Sequence, residues 1–347
     1  MRVLVTGATG FTGGHLARAL ARSGDEVRAL VRGEVAGRGS STGGTESHST
    51  VRAGNSRMAD LGAAGIEVLP GDLKDAAALA RAAQGVDVIY HIAAIYRQAS
   101  LRDEEYRAVN ATAVRTVIEA AAAGGARRVV HCSTVGVHGD VQHPPAGEDA
   151  PLQPGDIYQE TKLEGEQVAR QAAADTGVEV VIARPTGIYG PGDRRLLKLF
   201  KGIARRRFVI LGDGQIYYHL TYIDDLVEGF RLCGAVPAAA GRTYILAGGE
   251  VTTLNELAGL IAEEAKVPPP SLHLPVWPFW AAGAVCEAVC APLNIEPPLY
   301  RRRVDFFTKS RAFDISRARA ELGYDPKVGL RDGVRRTLSW YRAQGWI

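Results

Sequence analysis

The sequence predicts an α/β fold, with a doubly wound parallel sheet and a smaller C-terminal α/β lobe. Short apolar, β-branched runs alternate with segments rich in Ala, Leu, Arg and Glu, which is typical of strands joined by helical crossovers. A glycine-rich turn follows the first run, and 347 residues exceed the usual size of a single core. Sheets of this kind bind ligands beyond the carboxyl ends of their strands, where the strand order reverses.

Six strands are predicted in the first half of the chain: Val3–Val5, Glu26–Val31, Glu67–Leu69, Val86–Tyr90, Arg128–Cys132 and Val178–Ala183. A helix is predicted over His15–Ser23, directly after the first strand. Downstream of Pro185 the alternation loosens, with helices predicted at 226–232 and 254–265 and a strand at 243–246. This looser region supplies the smaller lobe.

Composition narrows the class of partner. Apolar residues make up 46% and charged residues 23%, and a formal charge of +3 is too small for a nucleic-acid surface, so we expect a small-molecule partner. The four cysteines lack the spacing of disulfides or a zinc site, so we predict no metal and reduced thiols in the cytoplasm. Cys286 and Cys290 lie in an apolar stretch, which favours core packing. An apolar strand begins directly after Met1, so we expect no secretion signal.

The turn after the first strand carries the first functional signal. It reads Thr6-Gly7-Ala8-Thr9-Gly10-Phe11-Thr12-Gly13 and opens a helix. Glycines let such a turn approach a pyrophosphate closely, and the helix N-terminus offers it free N–H groups. We therefore predict a Rossmann-type dinucleotide site at Gly7, Thr9, Gly10, Phe11 and Gly13.

The second strand ends at Arg32, where an NAD-specific site usually has an acidic residue for the adenosine ribose. Arg32, helped by Arg38 or Arg52, can hold a ribose 2′-phosphate through charge-assisted hydrogen bonds, so NADP(H) is favoured over NAD(H). A solvated surface arginine is the alternative. Both helper arginines lie in the stretch 33–56, which is rich in Gly, Ser and Thr and predicts a flexible inserted loop.

Two residues after the third strand are candidates for the adenine site. Asp72 and Leu73 can bracket the base, with the Asp72 carboxylate accepting from its amino group. An ordinary helix N-cap at Asp72 is the competing interpretation.

A phenol and an ammonium lie four residues apart at Tyr158 and Lys162, hence on one face of a helix. A tyrosine becomes a usable base when a lysine and the positive charge of a nicotinamide stabilise its phenolate. The fifth strand ends in Ser133 and Thr134, and the Thr134 hydroxyl can hydrogen-bond a reacting oxygen with Ser133 in support. Alone, either is more often an ordinary strand-end hydroxyl.

These motifs together resemble the extended short-chain dehydrogenases, the NAD-dependent epimerase/dehydratase family. The resemblance rests on Thr6–Gly13, His91–Ala94, Ser133–Gly139, Tyr158–Lys162, Arg184–Gly192, Ala312–Ser316 and Glu321–Tyr324. It implies that Thr134, Tyr158 and Lys162 form the catalytic triad and that Asn110 belongs to the active-site helix. It also implies that the cofactor is lined by His91, Ala93, Ala94 and Pro185.

The length of the chain and the change of pattern after Pro185 predict two domains. Residues 1–185 with about 218–248 are assigned to the dinucleotide-binding domain. Residues 186–217 with 249–347 are assigned to the substrate-binding lobe.

The substrate side departs from the nucleotide-sugar members, which usually carry an arginine about where Tyr218 stands. The apolar stretch 272–295 then makes the tail resemble 3β-hydroxysteroid dehydrogenase-type and hopanoid-associated members, which favours a hydrophobic substrate. The candidate substrate residues are Ser133, Tyr189, Tyr218 and Trp280.

The same stretch is too short for a bilayer span and is bounded by prolines, so a lid, a subunit contact or an interfacial helix is predicted. Peripheral membrane contact through 272–295 and a homodimer are the expected further partners. A dimer or core element in a sugar enzyme is the alternative.

The predicted reaction is hydride transfer at a secondary alcohol or ketone, with Tyr158 as acid and base. Lys162 lowers the Tyr158 pKa and holds the nicotinamide ribose, while Thr134 orients the substrate oxygen. The alternative is a nucleotide-sugar 4-epimerase or dehydratase, which uses the same residues without net cofactor turnover. A non-catalytic NADP-binding regulator is a third possibility, which the intact triad disfavours.

Overall fold

The computed structural model describes residues 1–32, 57–96, 98, 101–290 and 301–347. Its strands are β1 Arg2–Thr6, β2 Glu26–Val31, β3 Glu67–Pro70, β4 Val88–His91, β5 Arg128–Cys132, β6 Glu179–Pro185, β7 Gly187–Tyr189, β8 Ile210–Leu211, β9 Tyr217–Tyr222, β10 Thr243–Leu246, β11 Val251–Thr253 and β12 His273–Leu274. Its helices are α1 Phe11–Arg22, α2 57–63, α3 Ala76–Ala83, α4 Asp103–Arg107, α5 Ala113–Gly124, α6 Ile157–Thr176, α7 Leu197–Ala204, α8 Ile223–Ala235, α9 Leu254–Ala265, α10 Val276–Cys290, α11 Arg301–Thr308, α12 Ser316–Leu322 and α13 Leu330–Ala343.

Within these described residues the main sheet has seven parallel strands, in the order β3-β2-β1-β4-β5-β6-β10. The order reverses between β1 and β4, so the crevice at their carboxyl ends is the expected ligand site. Both faces of the sheet are covered: Val3 and Val5 pack in one apolar cluster, while Leu4 between them packs in another. The predicted doubly wound fold is confirmed.

The smaller lobe is built on short strands. β7 pairs in parallel with β9, and β11 pairs antiparallel with β9 on its other side. The segment of about 218–248, which the sequence assigns to the dinucleotide-binding domain, is therefore divided between the two sheets. Strand β9 lies in this small sheet, while β10 joins the main sheet beside β6. The buried faces of α8 also pack against β5 and β6 of the main sheet.

Local predictions differ from the structure mainly at element ends. The first helix begins at Phe11 rather than His15, because Gly10 already has the extended backbone of an N-cap. Cys286 and Cys290, for which core packing was favoured, lie on α10 and are partly exposed. The predicted loop 33–56 lies outside the described residues.

Candidate active site

The glycine-rich turn brings three chain segments together at the switch point. Gly7 has φ +76°, and a Cβ built there would lie 2.7 Å from the backbone nitrogen of Ala93, just after β4. A Cβ on Gly13 would lie 2.3 Å from the carbonyl oxygen of Gly7. Both distances are shorter than any real contact of a Cβ, so only glycine allows β1, α1 and the β4 loop to approach this closely.

The N-terminus of α1 is suited to an anion. Gly10 caps it without a side-chain hydrogen bond, and its first turn contains no acidic residue. Its leading N–H groups and the positive end of the helix dipole therefore remain available to phosphate oxygens. The turn and helix fit the pyrophosphate of a dinucleotide, which Gly7, Thr9, Gly10, Phe11 and Gly13 would hold.

Two arginines lie near the carboxyl ends of β1 and β2, where the adenosine is predicted to bind. Arg32 is exposed at the end of β2, and the guanidinium of Arg57 at the start of α2 donates to the carbonyl of Thr9 over 3.4 Å. Sequence reasoning missed Arg57, which lies next to the glycine turn only in the folded chain. The predicted helpers Arg38 and Arg52 lie outside the described residues.

Asp72 does not cap the following helix. Asp75 is the N-cap of α3 and accepts from the backbone of Ala77 and Ala78 at 3.0 Å. The Asp72 carboxylate instead accepts from the Lys74 backbone at 2.8 Å in a local turn. The helix-cap alternative for Asp72 is therefore wrong. Asp72 and its neighbour Leu73 are partly exposed, and their contact with adenine stays a prediction.

Helix α6 places Tyr158 and Lys162 on one face, as their spacing predicts. The Asp156 carboxylate caps the helix by accepting from the Gln159 backbone at 2.9 Å. Tyr158 is partly exposed and its ring meets that of Tyr96 edge to face, with centroids 4.9 Å apart. Lys162 is 1% exposed, and burial lowers the pKa of its ammonium, an effect that the nearby Glu166 carboxylate opposes.

Thr134 follows β5 and is held against the same helix. Its hydroxyl oxygen accepts from the Gly136 backbone at 3.0 Å, which leaves the hydroxyl proton for another acceptor. Gly136 lies so close to Gln159 of α6 that a Cβ there would be 3.1 Å from that side chain. The end of β5 and the first turns of α6 are thus fixed against each other.

Asn110 lies in a single π-helical turn, Ala108–Thr112, a feature frequent at functional sites. Its side-chain oxygen accepts from the Ile95 backbone at 2.8 Å. Its amide nitrogen donates to the Ile95 carbonyl at 3.0 Å and to the Thr161 hydroxyl at 3.1 Å. Asn110 therefore ties the segment after β4 to α6, one residue before Lys162.

A buried ionic network joins α6 to the residues at the ends of β5 and β6. The Glu166 carboxylate accepts two hydrogen bonds from Arg184, at 2.8 and 2.6 Å, and one from the Ser133 hydroxyl at 2.5 Å. All three residues are at most 2% exposed. Sequence reasoning missed Glu166, although its position four residues after Lys162 places it on the same helical face.

Two histidines stack in the centre of the main sheet, His91 at the end of β4 and His131 in β5, with ring centroids 5.4 Å apart. The Thr6 hydroxyl lies 2.8 Å from His91 Nδ1, whereas His91 Nε2 and both nitrogens of His131 have no hydrogen-bond partner among the described residues. Burial lowers the pKa of His91 to about 3 and that of His131 well below its usual value, with the charge of Lys162 adding to both effects. Both rings are neutral at pH 7.

The remaining predicted residues lie at different depths. Pro185 is buried at the end of β6. Of the two alanines that follow β4, Ala93 is partly exposed and Ala94 is exposed. Tyr189 is 1% exposed and packs edge to face on Tyr222. Tyr218 is 6% exposed. Its hydroxyl donates to the Phe306 carbonyl.

Trp280 lies on the outer surface, 51% exposed. The guanidinium of Arg301 lies 5.6 Å from its ring centre. Its helix packs against α11 and, through Val276, against Gly212. None of the described helices is both long and apolar enough to cross a bilayer. A contact between Trp280 and substrate stays a prediction.

Comparison with known proteins gives a consistent set of relatives. A sequence model of the NAD-dependent epimerase/dehydratase family matches residues 3–247. The chain is 29% identical to the 2-alkyl-3-oxoalkanoate reductase of Stenotrophomonas maltophilia (strain K279a), over 97% of this chain and 98% of that enzyme. It is 30% identical to the UDP-glucose 4-epimerase of Mycolicibacterium smegmatis, over 99% of both chains.

Two further comparisons extend this set. Identity to the 3beta-hydroxysteroid-dehydrogenase/decarboxylase isoform 2 of Arabidopsis thaliana is 29% over 79% of this chain, which spans only 51% of the plant protein. The solved structure of the dTDP-glucose 4,6-dehydratase DesIV from Streptomyces venezuelae, with NAD bound, matches with a TM-score of 0.76. Its identity is 27%, and the match covers 100% of this chain and 98% of that one.

Proposed function

This chain belongs to the NAD-dependent epimerase/dehydratase family of NAD(P)-dependent enzymes, and we propose that it transfers a hydride at a secondary alcohol or ketone of a hydrophobic substrate. The family predicted from the motifs is confirmed by the match over residues 3–247. The observation that carries the proposal is the partly exposed Tyr158 with the buried Lys162 on one face of α6.

The dinucleotide, when bound, supplies or accepts a hydride at the substrate carbon. Tyr158 gives a proton to the developing alkoxide in reduction and removes it in oxidation. The Lys162 ammonium stabilises the phenolate, since an opposite charge within a few ångströms favours the ionised form. The Thr134 hydroxyl donates to the same substrate oxygen and fixes its position against Tyr158.

Two features support a hydrophobic substrate. Tyr218 stands about where nucleotide-sugar enzymes have an arginine, and its phenol carries no positive charge for a diphosphate. Its hydroxyl donates to the Phe306 carbonyl. Two relatives are named for an alkyl-bearing oxoalkanoate and a 3β-hydroxysteroid. Apolar surface buried from water contributes about 25 cal/mol per Å², which can replace ionic binding energy.

We further propose that NADP(H) is preferred over NAD(H). Arg32 and Arg57 border the adenosine end of the crevice, where a 2′-phosphate would carry its charge. The cytoplasm is the proposed compartment, consistent with the four cysteines, all of them free thiols.

A nucleotide-sugar 4-epimerase or dehydratase is the second candidate. One observation favours it: the charge of Arg311 acts on the Tyr218 hydroxyl and opposes the increase in its pKa that burial causes. A guanidinium at this place can pair with a diphosphate although Tyr218 itself cannot. The UDP-glucose 4-epimerase relative points to the same reaction.

A substrate screen that follows NAD(P)H absorbance separates these candidates. Stoichiometric oxidation of NADPH with sterol-like or long-chain ketones is the expected result. Conversion of a UDP-sugar to its epimer without net cofactor change would contradict the proposal and establish the second candidate. Binding of NADP with neither reaction would point to a non-catalytic regulator.

The acid-base role is tested by Tyr158→Phe, which keeps the ring and removes the ionisable hydroxyl. Turnover is expected to fall by about 100-fold or more, while the Kd for NADP stays within about threefold of wild type. Tyr217→Phe removes a hydroxyl from an exposed tyrosine of β9 and should leave turnover unchanged. Near-normal kcat in Tyr158→Phe would remove Tyr158 from the mechanism.

A further inference from the structure

A second tyrosine stands beside the catalytic one. The ring of Tyr96 meets that of Tyr158 edge to face, with centroids 4.9 Å apart and ring planes at 83° to each other. Tyr96 is 44% exposed, so part of its ring remains accessible next to Tyr158. An aromatic ring covers a large apolar area when it packs on a ligand, and such rings commonly line small-molecule sites.

The main sheet brings Tyr96 to the same edge as the catalytic residues. His91 of β4 pairs with His131 of β5, so the segments after these strands leave the carboxyl edge of the sheet side by side. Tyr96 lies five residues beyond His91, and Thr134 lies three residues beyond His131. Two neighbouring segments therefore approach α6, one with Tyr96 and the other with Thr134. Ligands of a doubly wound sheet bind at this edge.

The backbone on either side of Tyr96 is held by buried side chains. Asn110, which is 1% exposed, donates to the Ile95 carbonyl and accepts from the Ile95 N–H. Tyr106 is 3% exposed. Its hydroxyl accepts from the Gln98 N–H at 2.5 Å and donates to the Gln98 carbonyl at 2.9 Å. Because the backbone is fixed at both points, little further ordering is needed when a ligand packs on Tyr96.

The segment that carries Tyr96 is uncharged. Residues 92–96 are all apolar or aromatic, and Ala94 is exposed together with Tyr96. A rigid ring can lie against an aromatic side chain over a whole face, whereas a flexible chain must lose rotational freedom to do so. This side of the site therefore suits a rigid apolar ring.

We propose that Tyr96 contacts the substrate and selects a carbonyl carried on a rigid apolar ring over one carried on a linear chain. The substrate ring would pack on Tyr96 while the carbonyl oxygen accepts from Tyr158 and Thr134. The placement of that oxygen rests on the proposed function, whereas the ring contact is measured by binding alone.

The test compares two ketones with the same number of carbon atoms, the bicyclic trans-2-decalone and the linear 2-decanone. Each is titrated into the protein loaded with NADP⁺, which cannot reduce it, and the Kd is measured by saturation-transfer NMR. Wild type should bind the decalone about 10-fold more tightly than the decanone. Tyr96→Ala should weaken decalone binding by about 10-fold and decanone binding by less than about threefold.

Three controls accompany this variant. Tyr96→Phe keeps the ring and should recover most of the decalone affinity that Tyr96→Ala loses. Tyr217→Ala removes a tyrosine of nearly equal exposure, 42%, from β9 and should leave both dissociation constants unchanged. The Kd for NADP⁺ should stay within about twofold of wild type in every variant, which shows that the fold is intact.

Equal affinity of wild type for the two ketones, or unchanged decalone binding in Tyr96→Ala, would overturn the proposal. A lower kcat for both ketones with unchanged dissociation constants would also overturn it, since Tyr96 would then act only by orienting Tyr158. Ring-selective binding without any oxidation of NADPH would support the role of Tyr96 and contradict the proposed hydride transfer.

Discussion

At the scale of single residues, one face of α6 carries three functions in succession. Tyr158 is partly exposed at its first turn, Lys162 is buried one turn later, and Glu166 is buried one turn beyond that. Glu166 is anchored by Arg184 through two hydrogen bonds. Because the three side chains are spaced four residues apart, anchoring Glu166 also fixes the helical face that carries Lys162 and Tyr158. Catalysis needs side chains that are preorganised in this way.

The two arginines at the adenosine end give a prediction for cofactor choice. Arg57→Ala and Arg32→Ala should each weaken NADP binding by about 10-fold or more, since a charge-assisted hydrogen bond contributes roughly 1.5–3 kcal/mol. NAD binding should change little, because it lacks the phosphate. Isothermal titration of both cofactors measures this, with Arg22→Ala at the far end of α1 as control. Tighter binding of NAD than NADP by wild type would show that the proposed preference is wrong.

At the scale of elements, the position of α1 against β1 depends on the absence of side chains in the turn between them. Gly13 in the first turn of α1 is buried against the Gly7 carbonyl, and Gly7 packs closely against the segment after β4. The closeness of these elements is what brings the helix N-terminus to the crevice.

Gly13→Ala tests this packing. The added methyl would lie 2.3 Å from the Gly7 oxygen, so α1 must shift and the turn must open. We expect NADP affinity to fall by about 10-fold or more and the melting temperature to fall. Gly62→Ala in α2 is the matched control, because a Cβ there meets nothing within 4 Å and should leave stability unchanged or raised. Equal effects in the two variants would contradict the close-packing argument.

At the scale of the whole molecule, the stacked pair His91 and His131 makes stability depend on pH. The folded-state pKa of His91 is about 3, below the value near 6.5 that an unfolded chain has, and that of His131 is also well below 6.5. Between these values the unfolded chain binds protons that the folded chain does not. Their contribution to stability is thus complete above about pH 6.5 and is lost progressively as the pH falls towards the folded-state pKa.

His131→Phe should make this loss shallower. Each such histidine contributes about 1.4 kcal/mol of unfolding free energy per pH unit within its window, and the variant lacks one of the two. Urea unfolding at a series of pH values from 7 down to about 4 measures the slope. His143→Phe, at an exposed histidine, should keep the wild-type slope. An unchanged slope in His131→Phe would mean that its ring is not kept neutral by burial.

Local sequence determined the parts of this protein that depend on neighbours in the chain. The alternation of apolar runs predicted β2, β5 and β10 at their observed bounds. Strand formation depends on the alternation of apolar and polar side chains and on the turn residues at each end. The glycine spacing predicted the turn after β1, and the four-residue spacing predicted the shared face of Tyr158 and Lys162, since both are properties of a single segment.

Tertiary structure decided everything that depends on distant residues meeting. It placed Arg57 beside Thr9, Ser133 on Glu166 and the Tyr218 hydroxyl on Phe306, and no local pattern contains these pairs. It also left α10 on the surface, although its sequence favoured burial of its cysteines. The physical reason is that burial and hydrogen-bond partners are set by which elements pack together, whereas periodicity and turn chemistry are set within a few residues of chain.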